Sequence, residues 1–129
     1  MVHPADVQSM HIPPDARHVA SIRSFVGAVA RFAGCSHETI EDLRLAATEA
    51  CGQALEQGAA PDGIDLRTSI DGDRFLLEIA PTGTFEPGAA DVADGLGRWG
   101  LIRALFPDAE HHVHDGRGVL RLTAASDLP

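Results

Sequence analysis

The chain has 129 residues, enough for one domain with an adequate core, and its 44% hydrophobic content excludes a disordered polypeptide. A net charge of −9, spread along the whole chain, disfavours binding to nucleic acid or an anionic membrane through bulk electrostatics. All ten basic residues are arginine, which excludes a P-loop or Schiff-base lysine, and two cysteines are too few for a disulfide framework.

The N-terminus shows no basic region leading into an apolar run. No apolar stretch approaches the ~20 residues of a membrane span, so the expected location is the cytoplasm. Residues 5–12 read as a first strand, ended by Pro13-Pro14-Asp15. Asp15 is a candidate N-cap for a helix with apolar positions at Val19, Ile22, Phe25, Val26, Val29, Phe32 and Ala33. Gly34 stops that helix, and Ser36 caps the next, with Glu38, Glu41 and Asp42 near its positive end. The second helix has an apolar face of Ile40, Leu43, Ala46, Ala47, Ala50, Ala54 and Leu55, and it ends at Gly58 and Pro61.

Residues 64–70 alternate cleanly, Asp71-Gly72-Asp73 makes a hairpin turn, and Phe75 to Ile79 return. A loop rich in Pro, Gly, Thr and Ala follows over 80–95, then a helix from about Gly97 to Phe106. A second hairpin closes the chain, with strands 110–114 and 119–123 around Asp115-Gly116-Arg117-Gly118. The order β-α-α-β-β-loop-α-β-β predicts a single α+β domain over 1–129, with its core at about 8–123. The architecture is a two-layer sandwich: a mixed, mainly antiparallel sheet covered on one face by three helices.

The chemistry-bearing residues gather in three places. Glu49 and Gln53 stand at i and i+4 on the second helix and share a face among small apolar neighbours. Cys51, in the same helix, reads as a buried, inert thiol. At the end of the third strand stands Glu78-Ile79-Ala80-Pro81-Thr82-Gly83-Thr84-Phe85, and before the last helix Gly95-Leu96-Gly97-Arg98-Trp99-Gly100-Leu101. Glycines ahead of a helix N-terminus can cradle an anion, and Arg98 adds charge. Trp99 is expected to pack against the sheet. His112 and His114 share one strand face and His111 takes the other, without the Cys or carboxylate pattern of a zinc site. No Ser-His-Asp or Cys-His arrangement emerges from spacing.

These three segments, in this order of elements, resemble the nucleotide-binding boxes of the GHKL (histidine-kinase-like) ATPases, in the small form of the bacterial anti-sigma-factor serine kinases. The resemblance implies the Bergerat-type ATPase fold, with ATP and Mg²⁺ as cofactors. It implies Glu49 as general base and Gln53 at the position where relatives hold magnesium with asparagine, a residue this chain lacks entirely. Anchoring the second box on Phe85 puts Ala80 where relatives carry the aspartate that reads adenine. Thr82 and Thr84 then replace the glycines that flank Gly83. Gly95, Gly97, Arg98 and Gly100 would approach the phosphates. Losing a buried acceptor for a polar ligand edge costs ~1–3 kcal/mol, so the preferred reading is a regulator with weak or lost ATP binding. Its partners by resemblance are a sigma factor, a STAS-domain anti-sigma-factor antagonist, or both, held by a homodimer. The partner surface would be the first helix, with Arg17, Arg23 and Arg31. The alternative is an active ATP- and magnesium-dependent serine kinase that phosphorylates the antagonist.

Overall fold

Side-chain caps and one left-handed glycine set the helix boundaries. The computed structural model describes residues 7–86 and 98–126. Strand β1 is Gln8–Ile12. Asp15 then accepts a hydrogen bond from the Arg17 backbone N–H at 2.9 Å and caps a single 3-10 turn, Ala16–His18, ahead of α1, Val19–Phe32. The Arg17 guanidinium also closes on the Asp15 carboxylate, at 2.6 and 2.9 Å, which holds that carboxyl down to about 2. Gly34, at φ 81°, ends the α1 turn. Ser36 accepts from the Thr39 N–H at 3.1 Å and starts α2, His37–Glu56. Strands β2 and β3 are Ile64–Asp71 and Arg74–Pro81. Helix α3 is Arg98–Leu105, and β4 and β5 are Glu110–His114 and Arg117–Ala125.

The strands form one sheet in the order β1-β2-β3-β5-β4, and every pairing is antiparallel. The chain does make a parallel relation, since β3 and β4 run the same way through α3. The β4–β5 hairpin folds β5 back between them, so no parallel ladder forms. That connection is why an expectation of a mixed sheet resolves into an all-antiparallel one.

Period-two burial assigns the faces. On β3, Phe75, Leu77, Ile79 and Pro81 are buried, while Arg74, Leu76, Glu78 and Ala80 are not. Ile64, Leu66, Leu120 and Leu122 join the buried side. Helix α2 lies over it on a face of alanines, with Ala46, Ala47, Ala50 and Ala54 all fully buried. It contacts α1, α3, β3 and β5.

β3 runs two residues beyond the predicted strand, to a proline. Pro81 pairs with Ile64 of β2, whereas the β3–β5 ladder stops at Ile79 opposite Leu120. Past that point Arg117 stands in for the missing strand. Its Nη2 donates to the Ala80 carbonyl at 2.7 Å and its Nε to the Pro81 carbonyl at 3.1 Å. A proline is tolerated here because nothing on the β5 side requires its N–H.

Arg117 also reaches Asp65 at 2.9 Å on the open face of the sheet, and Asp65 meets His11 at 2.6 Å. The His11 contact and then Arg117 hold the Asp65 carboxyl below its ordinary 3.8. A folded-state value below the unfolded one contributes stability above about pH 4 that is lost as pH falls through the folded value. Asp65→Asn is expected to cost about 0.5–1 kcal/mol at neutral pH, a size limited by solvent around half-exposed side chains. Thermal melts from pH 6 to pH 2 should show the gap between variant and parent narrowing below pH 4. A gap that stays constant would mean that the charge on Asp65 contributes nothing.

Candidate functional site

Helix α2 carries one polar stripe, Glu49, Gln53 and its C-cap Gln57, of which Gln57 reaches the chain just past the end of β3. Glu49 is half-buried. Gln53 is 2% exposed, and neither its Oε1 nor its Nε2 has a hydrogen-bond partner. A buried primary amide left unpaired costs ~1–3 kcal/mol, so Gln53 is the one member of the stripe with hydrogen bonds left to give. Gln57 lies at the surface and is fully engaged. Its Nε2 donates to the Glu86 carbonyl at 2.7 Å, and its Oε1 accepts from the Glu86 N–H at 3.2 Å. Cys51, buried on the same helix, has its thiol pushed up to about 12 by desolvation, as suits an inert packing residue.

The end of β3 departs most from the sequence expectation. Ala80 sits opposite Asp65 on the sheet face turned away from the helices. The buried residue at the strand end is Pro81. Glu78 shares the open face with Ala80 and is held by Arg67 at 3.1 Å and Arg121 at 3.5 Å.

The residues that follow are tied down one after another. The Thr82 N–H and hydroxyl both donate to the Gly63 carbonyl, at 3.1 and 3.0 Å, and the same hydroxyl accepts from the Asp62 N–H at 2.9 Å. The Gly83 N–H donates to the Ala59 carbonyl at 2.7 Å. A Cβ on Gly83 would lie 2.8 Å from that same oxygen, so only glycine allows the approach. The Thr84 hydroxyl donates to the Gly116 carbonyl at 3.4 Å. Phe85 is fully buried, with the His111 ring edge-on at 6.2 Å.

Of the third box, Gly95 and Gly97 lie outside the described residues. Arg98 is the first residue of α3, and Gly100 is half-buried in its first turn. Trp99 packs partly buried against the core, with the Arg103 guanidinium 5.7 Å from its ring centroid. The three histidines divide as their parity requires. His112 pairs with Glu110 at 2.8 Å and His114 with Asp115 at 3.4 Å, while the Nε2 of His111 is buried and unpartnered beside Phe85. Among the described residues no group of three His, Cys, Asp or Glu side chains could hold a metal ion.

Sequence reasoning assigned Gln57 nothing. Its only signal was position, one further turn along the stripe of Glu49 and Gln53. Its partner is a backbone 29 residues away, which no local pattern reports.

An antiparallel five-stranded sheet under three helices is the architecture of the histidine-kinase-like ATPase domains. The chain belongs to that family, matching the histidine kinase-like ATPase domain over residues 12–124. Its relatives include the serine-protein kinase RsbW of Bacillus subtilis, 30% identical over 86 residues, which cover 64% of this chain and 54% of the relative. The anti-sigma-F factor RsbW of Mycobacterium tuberculosis is 28% identical over 108 residues, covering 84% of this chain and 62% of that protein. The chain thus spans only a little over half the length of these two relatives. Among solved structures, part of the chain in the crystal structure of the RsbU and RsbW domains of Rv1364c from Mycobacterium tuberculosis shares the fold. The TM-score is 0.67 at 23% identity, over 95% of this chain and 33% of that one.

The family as a whole uses ATP. At its end β3 turns a proline, not an acceptor side chain, to the buried side, and the carbonyl of that proline already serves Arg117. Gln53 Oε1 is an oxygen of the type magnesium takes, and Nε2 beside it is a donor without a partner.

Gln53→Met, of similar length and without polar atoms, is expected to leave the melting temperature unchanged or raise it, by up to the equivalent of about 1 kcal/mol. A clear fall would show that a bound water or ligand satisfies the amide.

Proposed function

We propose that this protein is a regulatory binding member of its family, which captures a sigma factor or a STAS-domain antagonist and has lost kinase chemistry. The observation that carries the reading is that Pro81–Glu86, the stretch aligned with the base-reading box, uses its polar groups inside the chain. In this reading Pro81, rather than Ala80, takes the place of the adenine-reading aspartate. The names of the relatives, a serine-protein kinase and an anti-sigma-F factor, supply the partner class.

The capture surface in this proposal is α1. Arg17 is occupied by Asp15, which leaves Arg23 and Arg31 exposed. Beside Arg31, Phe32 is 71% exposed and borders a shallow apolar hollow of about 200 Å³ with Ala28, Val29 and Gln8. Two arginines flanking an apolar anchor suit an acidic partner segment that also carries a large apolar side chain.

Calorimetric titration of ATP and ADP, with and without magnesium, is expected to give no heat. Micromolar binding would overturn the reading in favour of an active kinase with Glu49 as base, and Glu49→Ala should then abolish phosphate transfer to the antagonist. Arg23→Glu is expected to weaken capture of the sigma factor or STAS protein about tenfold, as reversing a charge at an interface typically does, with the melting temperature unchanged. Unaltered affinity would remove α1 from the interface.

A further inference from the structure

We infer that Gln57 is a positioning residue that holds the segment after β3 closed on α2 without any ligand, so that partner capture by this chain is not gated by nucleotide. The second half of this statement rests on the regulatory reading above; the first half stands on geometry alone.

The geometry is a two-point contact. A primary amide presents one donor and one acceptor side by side, and a peptide unit in extended backbone presents the complementary pair. Gln57 meets both backbone groups of Glu86, N–H and C=O, much as a neighbouring strand would. Four residues N-terminal to Glu86 are already fixed. Thr82 and Gly83 are bonded to the α2–β2 connection at Gly63 and Ala59, Thr84 to the β4–β5 turn at Gly116, and Phe85 is fully buried. Gln57 adds the last anchor, and it comes from the helix itself.

A ligand can shift a conformational equilibrium only by binding one state better than another. Where the chain's own side chains already hold one state, little remains for a nucleotide to select. Thr82 acts in the same sense. Its hydroxyl bonds to both Gly63 and Asp62, and a glycine in its place could make neither bond. The polar groups that would make this segment respond to a ligand are the groups that here respond to one another.

The first arm of the test is amide hydrogen exchange on the intact protein, followed at Gly83 and Glu86. Both amides are expected to be protected in the ligand-free protein and unchanged by millimolar Mg-ATP. Gln57→Ala should speed exchange at Glu86 about tenfold or more, leave Gly83 nearly as slow, and keep the melting temperature, since it removes two surface hydrogen bonds and no core contact. Slower exchange in the parent on adding Mg-ATP, or unchanged exchange at Glu86 in Gln57→Ala, would overturn the inference. The second arm is affinity for the sigma factor or STAS protein with and without Mg-ATP. Equal affinity supports constitutive capture, and a tenfold change refutes it. Absence of any capture would sink the regulatory reading but leave the exchange result to decide the role of Gln57.

Discussion

The close seating of α2 on the sheet is the constraint on which the rest of this structure depends. A helix whose buried face is alanine brings its backbone nearer to a sheet than leucine or phenylalanine would allow. Here Ala46, Ala47, Ala50 and Ala54 are all fully buried. That proximity carries the α2–β2 connection down to the end of β3, where the Ala59 carbonyl meets the Gly83 N–H and leaves no room for a Cβ. It also brings Gln57, at the C-cap of α2, within reach of Glu86 just past the end of β3. A bulkier residue at Ala50 or Ala54 would lift the helix, and with it the anchors of the whole segment from Thr82 to Glu86.

Sheet parity is the second constraint, and it decided which residue of β3 stands at the candidate site. Alternation along a strand admits no compromise, since a shift by one residue exchanges the two faces. With Phe75, Leu77 and Ile79 committed to the core, Ala80 must point to the open face and Pro81 to the buried one. The anchoring on Phe85 puts Ala80 at the aspartate position, and strand parity sets that residue on the open face. The register of β3 against β2 is the physical fact that an alignment by motif lacks. On the open face, the residues left outside take up a different task. Arg117 replaces the ladder beyond Leu120 and ties β5 through Asp65 and His11 to the edge strand β1.

Features governed by local chemistry were readable in advance. Ser36 caps α2, Gly34 ends α1, and the last hairpin turns through Asp115 and Gly116, at φ 52° and 78°, although Arg117 and Gly118, expected in the turn, open β5 instead. The element order, and with it the two-layer architecture, followed from the same signals. What could not be read depends on groups far apart in sequence. The extension of β3 to a proline required Arg117, 36 residues on, to supply the donors. Burial of the His111 ring nitrogen required Phe85 to dock against it, and the engagement of Gln57 required Glu86. In each case the partner is a backbone carbonyl or an apolar ring, neither of which announces itself in a residue pattern.

The same distinction explains how the fold is kept while its site changes character. The core needs only volume and period, and the alanine face of α2 and the apolar side of β3 supply both. The site needs particular polar groups left free to meet a ligand. At the strand end this chain carries residues that bond inward. Thr82 is the clearest instance, because its one hydroxyl both donates and accepts, so a single substitution joins β3 to the α2–β2 connection at two points. Gln53 differs, a buried amide with donor and acceptor both unmet. The loop side of the strand end is thus bonded inward at Thr82, while Gln53 on the helix side keeps an unmet amide.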